Sequence, residues 1–111
     1  MSKWTVLEGL ALCRKIESIS PSYGAHVALT GGLLYRDGPR KDCDILIYRI
    51  RQVQSIDWIG LFESLESIGL FLINDYGWCK KCRYFDLDVD IFDAEDDGIY
   101  GAYGDFEAVE P

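Results

Sequence analysis

Residues 27–32 read VALTGG, residues 42–47 read DCDILI, and residues 86–92 read DLDVDIF. Side chains alternate between the two faces of a β-strand, so Asp42 and Asp44 are predicted to share one face of their strand. By the same rule, Asp86, Asp88 and Asp90 share one face of a later strand. Carboxylates crowded on one face repel each other unless a positive group lies among them. Mg²⁺ (or Mn²⁺) is the expected cation, because it prefers the oxygens of carboxylates and phosphates.

The glycine pair at positions 31 and 32 predicts a binding site for the phosphates of a nucleotide. Glycine allows the backbone to turn sharply and lets amide N–H groups approach a phosphate without an intervening side chain. A short helix beginning at Leu33 would add further donors for an anion. Cationic side chains in the nine-residue spacer could neutralise phosphate charge; they are Arg36, Arg40 and Lys41. The alternatives are an ordinary turn at Gly31 and Gly32 and a plain basic loop after it.

Taken together, the glycine pair, the spacer, the paired aspartates and a third aspartate on a later strand resemble the DNA polymerase β-type nucleotidyltransferase superfamily. The resemblance covers residues 27–92 and is to the minimal single-domain members of bacteria and phages. It implies an α+β fold, in which a small mixed or antiparallel sheet packs with helices. It also implies an enzyme that uses two magnesium ions to transfer a nucleoside monophosphate from an NTP to an acceptor hydroxyl on a small molecule, protein or RNA.

The resemblance also implies roles for individual residues. Asp42 and Asp44 would bind metal, and the glycine pair would hold the β- and γ-phosphates. Asp90 would bind the ion nearer the acceptor and help to remove the proton of the acceptor hydroxyl. Asp90 is preferred because an Ile-Phe pair follows it and it lies deepest in the apolar pattern, while Asp88 is the competing third ligand.

Two interpretations without catalysis remain open. The chain could be a module that binds a nucleotide or a protein partner on the same fold, or an antitoxin-like protein that neutralises its partner. Asp42 and Asp44 could also be a solvated strand end, and Asp86 is better explained as a charge on an exposed edge strand. The full set of candidate metal ligands favours the enzyme, whereas the short chain and its acidic end favour the other two.

The composition predicts one folded domain. A chain of 111 residues buries enough surface for one modest core, and its 49% hydrophobic and 14% aromatic residues argue against disorder. No apolar run reaches the length of a membrane span, and the first residues lack the pattern of a signal peptide. A soluble cytoplasmic protein is expected.

The net charge of −8 is unevenly distributed along the chain. Residues 1–92 hold 12 acidic and 11 basic side chains, whereas residues 93–111 hold seven acidic side chains and no basic one. We therefore expect a nucleotidyltransferase-like core at 1–92 and an acidic, Gly- and Tyr-rich tail at 93–111 that is not a separate domain. Non-specific nucleic-acid binding needs a basic face and is not expected. A small nucleotide such as an NTP, or a protein partner that itself binds the nucleic acid, fits the charge better; a homo-oligomer also stays open.

Four cysteines are present, and their irregular spacing is unlike a secreted disulfide framework, so reduced thiols are expected. Cys79 and Cys82 form half of a zinc-site motif, but no second Cys/His pair completes it. A tight hairpin turn between these two residues would explain their spacing without metal.

The hydrophobic periodicity predicts the order helix, strand, strand, helix, strands. The first helix is predicted to be capped by Ser2 and to end near residues 18–20, before Pro21. The second is predicted to follow a cap at Ser55 or Asp57 and to end at Gly69. Beyond its acidic start, the second strand is apolar on both faces, which predicts burial on both sides. The predicted strands cover 26–29, 43–50, 70–73, 78–82 and 83–92, and residues 70–73 are alternatively the transition from the second helix to a strand.

Overall fold

The computed structural model describes residues 3–31 and 39–96, which contain a five-stranded sheet. Within these described ranges, two α-helices accompany the sheet: α1 (Val6–Glu17) and α2 (Trp58–Leu65). The central pair β2–β5 is parallel and the other three pairs are antiparallel, in the order β1-β2-β5-β4-β3. The predicted α+β fold with a small mixed sheet is confirmed. The strands are β1 (Ala25–Thr30), β2 (Asp42–Arg49), β3 (Leu70–Asp75), β4 (Cys79–Tyr84) and β5 (Leu87–Asp93).

Helix α1 begins with a capping box. The Thr5 hydroxyl accepts a hydrogen bond from the Glu8 N–H at 3.2 Å, and the Glu8 carboxylate accepts one from the Thr5 N–H at 3.1 Å. These bonds satisfy N–H groups that the start of a helix otherwise leaves unpaired. The helix therefore begins at Val6, and the predicted cap at Ser2 is wrong. A short 3-10 helix over Ser20–Tyr23 then leads into β1.

Helix α2 follows the sequence prediction closely. The Asp57 side chain caps it by accepting a hydrogen bond from the Gly60 N–H at 3.0 Å. Its buried side chains form one apolar stripe against the sheet. A 3-10 turn over Glu66–Ile68 follows, and Gly69 then turns the chain into β3 with a φ of +94°. That left-handed conformation favours glycine.

The β4–β5 hairpin differs from the prediction. The sequence pattern predicts a strand break between Cys82 and Arg83, whereas the chain turns at Phe85 and Asp86. Phe85 has a φ of +56°, which is uncommon for an aromatic residue, and its ring packs edge-on against Tyr84 with 4.7 Å between the ring centroids. Asp86 therefore belongs to the turn and does not share a strand face with the later aspartates.

The two faces of the sheet have different environments. Both helices pack on one face, here called the core face, which carries the fully buried residues Cys43, Ile45, Ile47, Val89 and Ile91. The opposite face, here called the site face, carries the alternate residues of the same strands. Among the described residues no helix covers the site face, whose small apolar cluster consists of Leu46, Trp78, Cys79 and Phe92.

The site-face residues in the second half of β2 are not fully buried, because no described helix covers them. Leu46 is only partly buried, and Tyr48 is 38% exposed. The prediction that β2 is buried on both sides is therefore wrong for these positions. Within the described part of the chain, the apolar residues on this side of β2 belong to a small cluster and not to a second helical layer.

The chain stays packed against the sheet for a few residues after β5. The Ala94 N–H donates to the Ile47 C=O at 3.0 Å, and the Glu95 carboxylate lies 3.6 Å from Arg49 Nε. The part of the predicted tail from residue 97 onward lies outside the described residues. None of the helices in the described ranges is long and apolar enough to cross a membrane.

Candidate functional site

Four aspartates lie at the same end of the two central strands. Because β2 and β5 are parallel, their N-terminal ends meet at one edge of the sheet. The register pairs Asp42 with Asp88 and Asp44 with Asp90. All four belong to the site face, and we call them the carboxylate cluster.

Gly31 closes the cluster on the side of β1. Thr30 pairs with Asp44 across β1 and β2, and Gly31 follows with a φ of +72°. A Cβ atom added to Gly31 would overlap Asp44 Oδ2, so both the backbone conformation and the available space require glycine. The backbone of this turn therefore lies directly against the Asp44 carboxylate. The second glycine of the pair, Gly32, lies outside the described residues.

The environment of Asp44 disfavours its ionisation. Burial raises the pKa of the Asp44 carboxyl to about 6, and the negative charges of Asp90 and Asp42 act in the same direction. The positive charges of Lys81 and Arg40 lower the same pKa, which shows that both cations act on the cluster. A carboxylate with a raised pKa marks a place where further positive charge would be stabilised.

Asp90 is the most buried member of the carboxylate cluster, with 9% of its surface exposed. Lys81 faces Asp90 across the β4–β5 pairing, and Lys81 Nζ lies 3.1 Å from Asp90 Oδ1. Burial raises the pKa of Asp90, while the hydrogen bond from Lys81 lowers it. Asp90 thus lies between Asp44 on β2 and Lys81 on β4.

Asp88 also has a cationic partner on β4. Arg83 Nη2 lies 3.1 Å from Asp88 Oδ1, and the two side chains are 52% and 40% exposed. Such an exposed pair contributes little to stability. The two candidates for the third ligand therefore differ in burial, and Asp90 is the deeper of the two.

A groove of about 320 Å³ extends from the carboxylate cluster towards β3. Its lining includes Ile73, Asn74 and Tyr76 as well as aspartates and cations of β2, β4 and β5. Ile73 and Tyr76 are each 59% exposed, so the groove offers apolar and aromatic surface beside the charged groups. Because Gly31 lies at the β1 side, the cluster has a glycine turn on one side and this groove on the other.

Trp4 anchors both the start of β5 and the segment before β2. Its indole Nε1–H donates to the Asp88 C=O at 2.8 Å. Its backbone N–H donates to the Arg40 C=O at 2.7 Å, and its C=O accepts from the Arg40 N–H at 2.8 Å. The indole is almost fully buried and stacks on Tyr84. Trp4 therefore fixes the positions of a cluster strand and of Arg40 together.

The donor chemistry of the carboxylate cluster fits a divalent cation. All four side chains offer carboxylate oxygens, which Mg²⁺ and Mn²⁺ prefer. Within residues 3–31 and 39–96, no three His, Cys, Asp or Glu side chains are already arranged to hold a metal ion.

Cys79 and Cys82 do not face each other. They lie three residues apart within β4, so Cys79 packs against Phe92 on the site face while Cys82 belongs to the main core. The predicted hairpin turn between them is wrong, and one zinc ion cannot be held by both within this strand. Burial raises the pKa of both thiols, that of Cys82 to about 12.

The sequence patterns do not single out Lys81, Arg83 or Trp4 as neighbours of the carboxylate cluster. A hairpin turn at residues 85 and 86 pairs Lys81 with Asp90 and Arg83 with Asp88. Knowledge of the turn position would therefore have been enough to predict both pairs. No comparable local signal points to Trp4, because its partner Asp88 is 84 residues away. Of the remaining predicted phosphate ligands, Lys41 is exposed, and Arg36 lies outside the described residues.

The chain is similar to known proteins in structure but not in sequence. No family model matches the chain, and no curated protein matches it in sequence. Leishmania infantum polymerase β in a ternary P/T complex matches with 11% identity and a TM-score of 0.59, over 83% of this chain and 43% of that one. The Cid1 poly(U) polymerase, with Mg and 3′-dATP bound, matches with 20% identity and a TM-score of 0.57, over 81% of this chain and 31% of that one.

A cytoplasmic RNA terminal U-transferase gives a similar result, with 15% identity and a TM-score of 0.57 over 97% of this chain and 36% of that one. The chain spans less than half the length of each of these three structures. The chain therefore has the fold of DNA polymerase β-type nucleotidyltransferases, and the fold that the sequence motifs imply is confirmed.

Proposed function

We propose that this chain transfers a nucleotidyl group from a nucleoside triphosphate to an acceptor hydroxyl. The observation that carries the proposal is the contact between the Gly31 turn and the Asp44 carboxylate, with Asp90 alongside on the parallel strand. This arrangement puts backbone that a phosphate can approach directly beside paired carboxylates. The nucleotidyltransferase fold supports the proposal, as does the Mg and 3′-dATP bound to the Cid1 structure.

In this proposal, Asp42, Asp44 and Asp90 hold a divalent cation, Mg²⁺ or Mn²⁺. A cation bound there supplies charge neutralisation at the attacking and leaving oxygens of nucleotidyl transfer. Asp88 is the alternative third ligand, since it faces Asp42 at the same end of the strands. We favour Asp90 because it faces Asp44 and is the more deeply buried of the two.

The two sides of the carboxylate cluster would bind the two substrates. The Gly31 turn and Arg40 would orient the triphosphate, with Gly32, Arg36 and Lys41 as further candidates for phosphate contacts. The groove lined by Ile73, Asn74 and Tyr76 would leave room for the acceptor.

The acceptor oxygen would form its bond to the α-phosphorus from the groove side. The bond between the α-phosphorus and the oxygen that bridges to the β-phosphate would break, and pyrophosphate would leave. Asp90 lies at the groove and would accept the proton of the acceptor hydroxyl.

A second function is favoured by one observation, the ion pair between Asp90 and Lys81. A module that binds a nucleotide or a protein partner without catalysis needs no third metal ligand, so this pair could be permanent in such a protein. The two functions differ in their product, because only the enzyme releases pyrophosphate.

Thermal unfolding with Mn²⁺ and each of the four NTPs tests binding. The melting temperature of the wild type should rise when cation and triphosphate are both present, because a ligand selective for the folded state stabilises it. Asp44→Asn and Asp90→Asn should lose that rise. Glu63→Gln changes an exposed side chain on α2 and should behave like the wild type. An equal rise in the wild type and in Asp44→Asn would place the cation elsewhere.

Transfer itself is tested with NTPs labelled at the α-phosphate. The acceptors are a single-stranded RNA, the chain itself and a set of small polyols, with release of pyrophosphate as the second readout. Label on an acceptor, lost in Asp44→Asn, would support the enzyme. Nucleotide binding without label transfer or pyrophosphate release from any acceptor would favour the second function.

A further inference from the structure

Lys81 lies on the side of Asp90 that faces away from Asp44. Strand β5 separates β2 from β4, so the lysine and the paired carboxylate approach Asp90 from opposite neighbours. The Lys81 ammonium is bonded to Asp90 at 3.1 Å, and its charge also interacts with Asp42 and Asp44. One ammonium group thus partly neutralises the negative charge of the cluster.

The two partners of this ion pair differ in burial. The Lys81 side chain is 51% exposed, whereas the Asp90 side chain is 13% exposed. A lysine on a flexible stem can turn into solvent at little cost, but a buried carboxylate that loses its cation is strongly destabilising. The carboxylate therefore needs a cation in place, and the cation that is present can be exchanged.

We propose that Lys81 is an exchangeable counter-ion, which holds Asp90 in the metal-free chain and is displaced when a divalent cation binds. The inference rests on the proposed function, because it requires that Asp90 is a ligand of that cation. It follows that Lys81 weakens the binding of metal alone, since the ion pair has to break first. A triphosphate adds negative charge to the site, so metal and nucleotide together should displace Lys81 more readily than metal alone.

Arg83 and Asp88 provide a matched comparison for this pair. They lie on the same two strands, two residues from Lys81 and Asp90, and their ion pair has the same length of 3.1 Å. Both side chains are well exposed, so no buried carboxylate depends on Arg83. The variant Arg83→Gln is therefore the control: it removes one positive charge beside the carboxylate cluster without freeing a buried carboxylate.

The experiment titrates the full chain with Mn²⁺ in the absence of nucleotide and measures free Mn²⁺ by electron paramagnetic resonance. Lys81→Gln should bind Mn²⁺ roughly tenfold more tightly than the wild type, which is the effect expected from removing one competing charge-assisted hydrogen bond. Arg83→Gln should stay within about twofold of the wild type. Lys81→Arg keeps the ion pair and should bind no more tightly than the wild type, even if Lys81→Gln folds poorly. Unchanged or weaker binding by a folded Lys81→Gln would overturn the inference, and so would tighter binding by Lys81→Arg.

Asp90→Asn distinguishes a failure of this inference from a failure of the proposed function. In the Asp90→Asn background, Lys81→Gln should no longer tighten Mn²⁺ binding, because the contested carboxylate is gone; a gain that persists would overturn the inference. If Asp90→Asn leaves the binding of Mn²⁺ with ATP intact, both the inference and the proposed third ligand are wrong. If Asp90→Asn abolishes that binding but Lys81→Gln shows no gain, only the inference is wrong. Circular dichroism establishes that each variant is folded.

Discussion

The core face and the site face consist of alternate residues of the same two strands, yet they affect stability in opposite directions. On the core face, Ile45 and Ile91 are fully buried, and burying a side chain of this size stabilises a fold by about 1.5–3 kcal/mol. On the site face, Asp44 and Asp90 are neighbours in register, and the charge of Asp90 raises the pKa of Asp44. Hydrophobic burial explains the isoleucines, but folding does not explain two adjacent carboxylates. The comparison therefore separates residues that stabilise the fold from residues whose charges oppose it.

The largest effect is expected on the core face. Ile91→Ala removes a side chain that is fully buried in the main core and should lower the free energy of unfolding by about 3–4 kcal/mol. Urea unfolding monitored by circular dichroism measures this loss. A loss below about 1 kcal/mol would mean that the core face does not carry the stability assigned to it.

The next effect is expected at the edge of the site face. Gly31→Ala introduces a side chain at a φ of +72° and into the space of the Asp44 carboxylate, so it should destabilise the chain by about 2 kcal/mol and abolish the Mn²⁺–NTP thermal shift. Gly77→Ala is the matched control, because Gly77 has a φ of +83° and faces the Asp96 side chain. The control should be destabilised by about 1–2 kcal/mol and should retain the thermal shift. Loss of the shift in both variants would show that destabilisation alone removes it.

A smaller effect, of opposite sign, is expected for the charge on the site face. Asp44→Asn should stabilise the metal-free chain at pH 7.5 by about 1–2 kcal/mol. The rise of the Asp44 pKa from 3.8 to about 6 corresponds to a cost of roughly 3 kcal/mol, and the partial exposure of the side chain reduces this cost. The folded-state pKa of about 6 lies above the ordinary value of 3.8, so ionisation of Asp44 disfavours the folded state above pH 6.

The wild type regains this stability as the pH falls through 6 towards 4, and the advantage of Asp44→Asn should disappear there. Urea unfolding in EDTA at pH 4, 5.5 and 7.5 measures the difference between the two chains. Glu63→Gln, an exposed change of the same charge, should show no comparable gain at pH 7.5. A less stable Asp44→Asn at pH 7.5 would mean that hydrogen bonds to the Asp44 carboxylate outweigh the charge repulsion.

The smallest effect is expected for Arg83→Gln, which removes the exposed ion pair with Asp88. Surface pairs of this kind contribute about 0–1 kcal/mol, so the free energy of unfolding should change by less than about 0.5 kcal/mol. The same urea series at 0.05 M and 0.5 M salt measures it. A larger loss at low salt would indicate that Asp88 depends on Arg83 as Asp90 depends on Lys81.

Those parts of the fold that depend on one local pattern could be predicted from the sequence. Helix α2 is an example, because its cap at Asp57, its apolar stripe and its end at Gly69 are all encoded within the helix and its flanks. The common face of Asp42 and Asp44 likewise follows from strand alternation alone. The roles of these residues in metal and nucleotide binding stay predictions.

The β4–β5 hairpin could not be predicted, because its turn has no glycine or asparagine to mark it. Phe85 and Asp86 form the turn, and the Phe85 ring packs against Tyr84 and against Gly69. Gly69 is distant in sequence, so no local pattern predicts this contact. The position of the turn decides which residue of β4 faces Asp90. Local sequence patterns therefore could not show that Lys81 pairs with Asp90, because the turn that sets this pairing involves a contact with Gly69, more than ten residues away in sequence.

The segment between β1 and β2 is fixed at both of its ends. Gly31 lies against Asp44, and Arg40 exchanges two backbone hydrogen bonds with Trp4, whose indole also holds the start of β5. With these anchors in place, residues can be inserted or deleted between them at a small entropic cost and without shifting the strands that carry the aspartates. Alignments of homologous chains should therefore place their gaps between these two anchors.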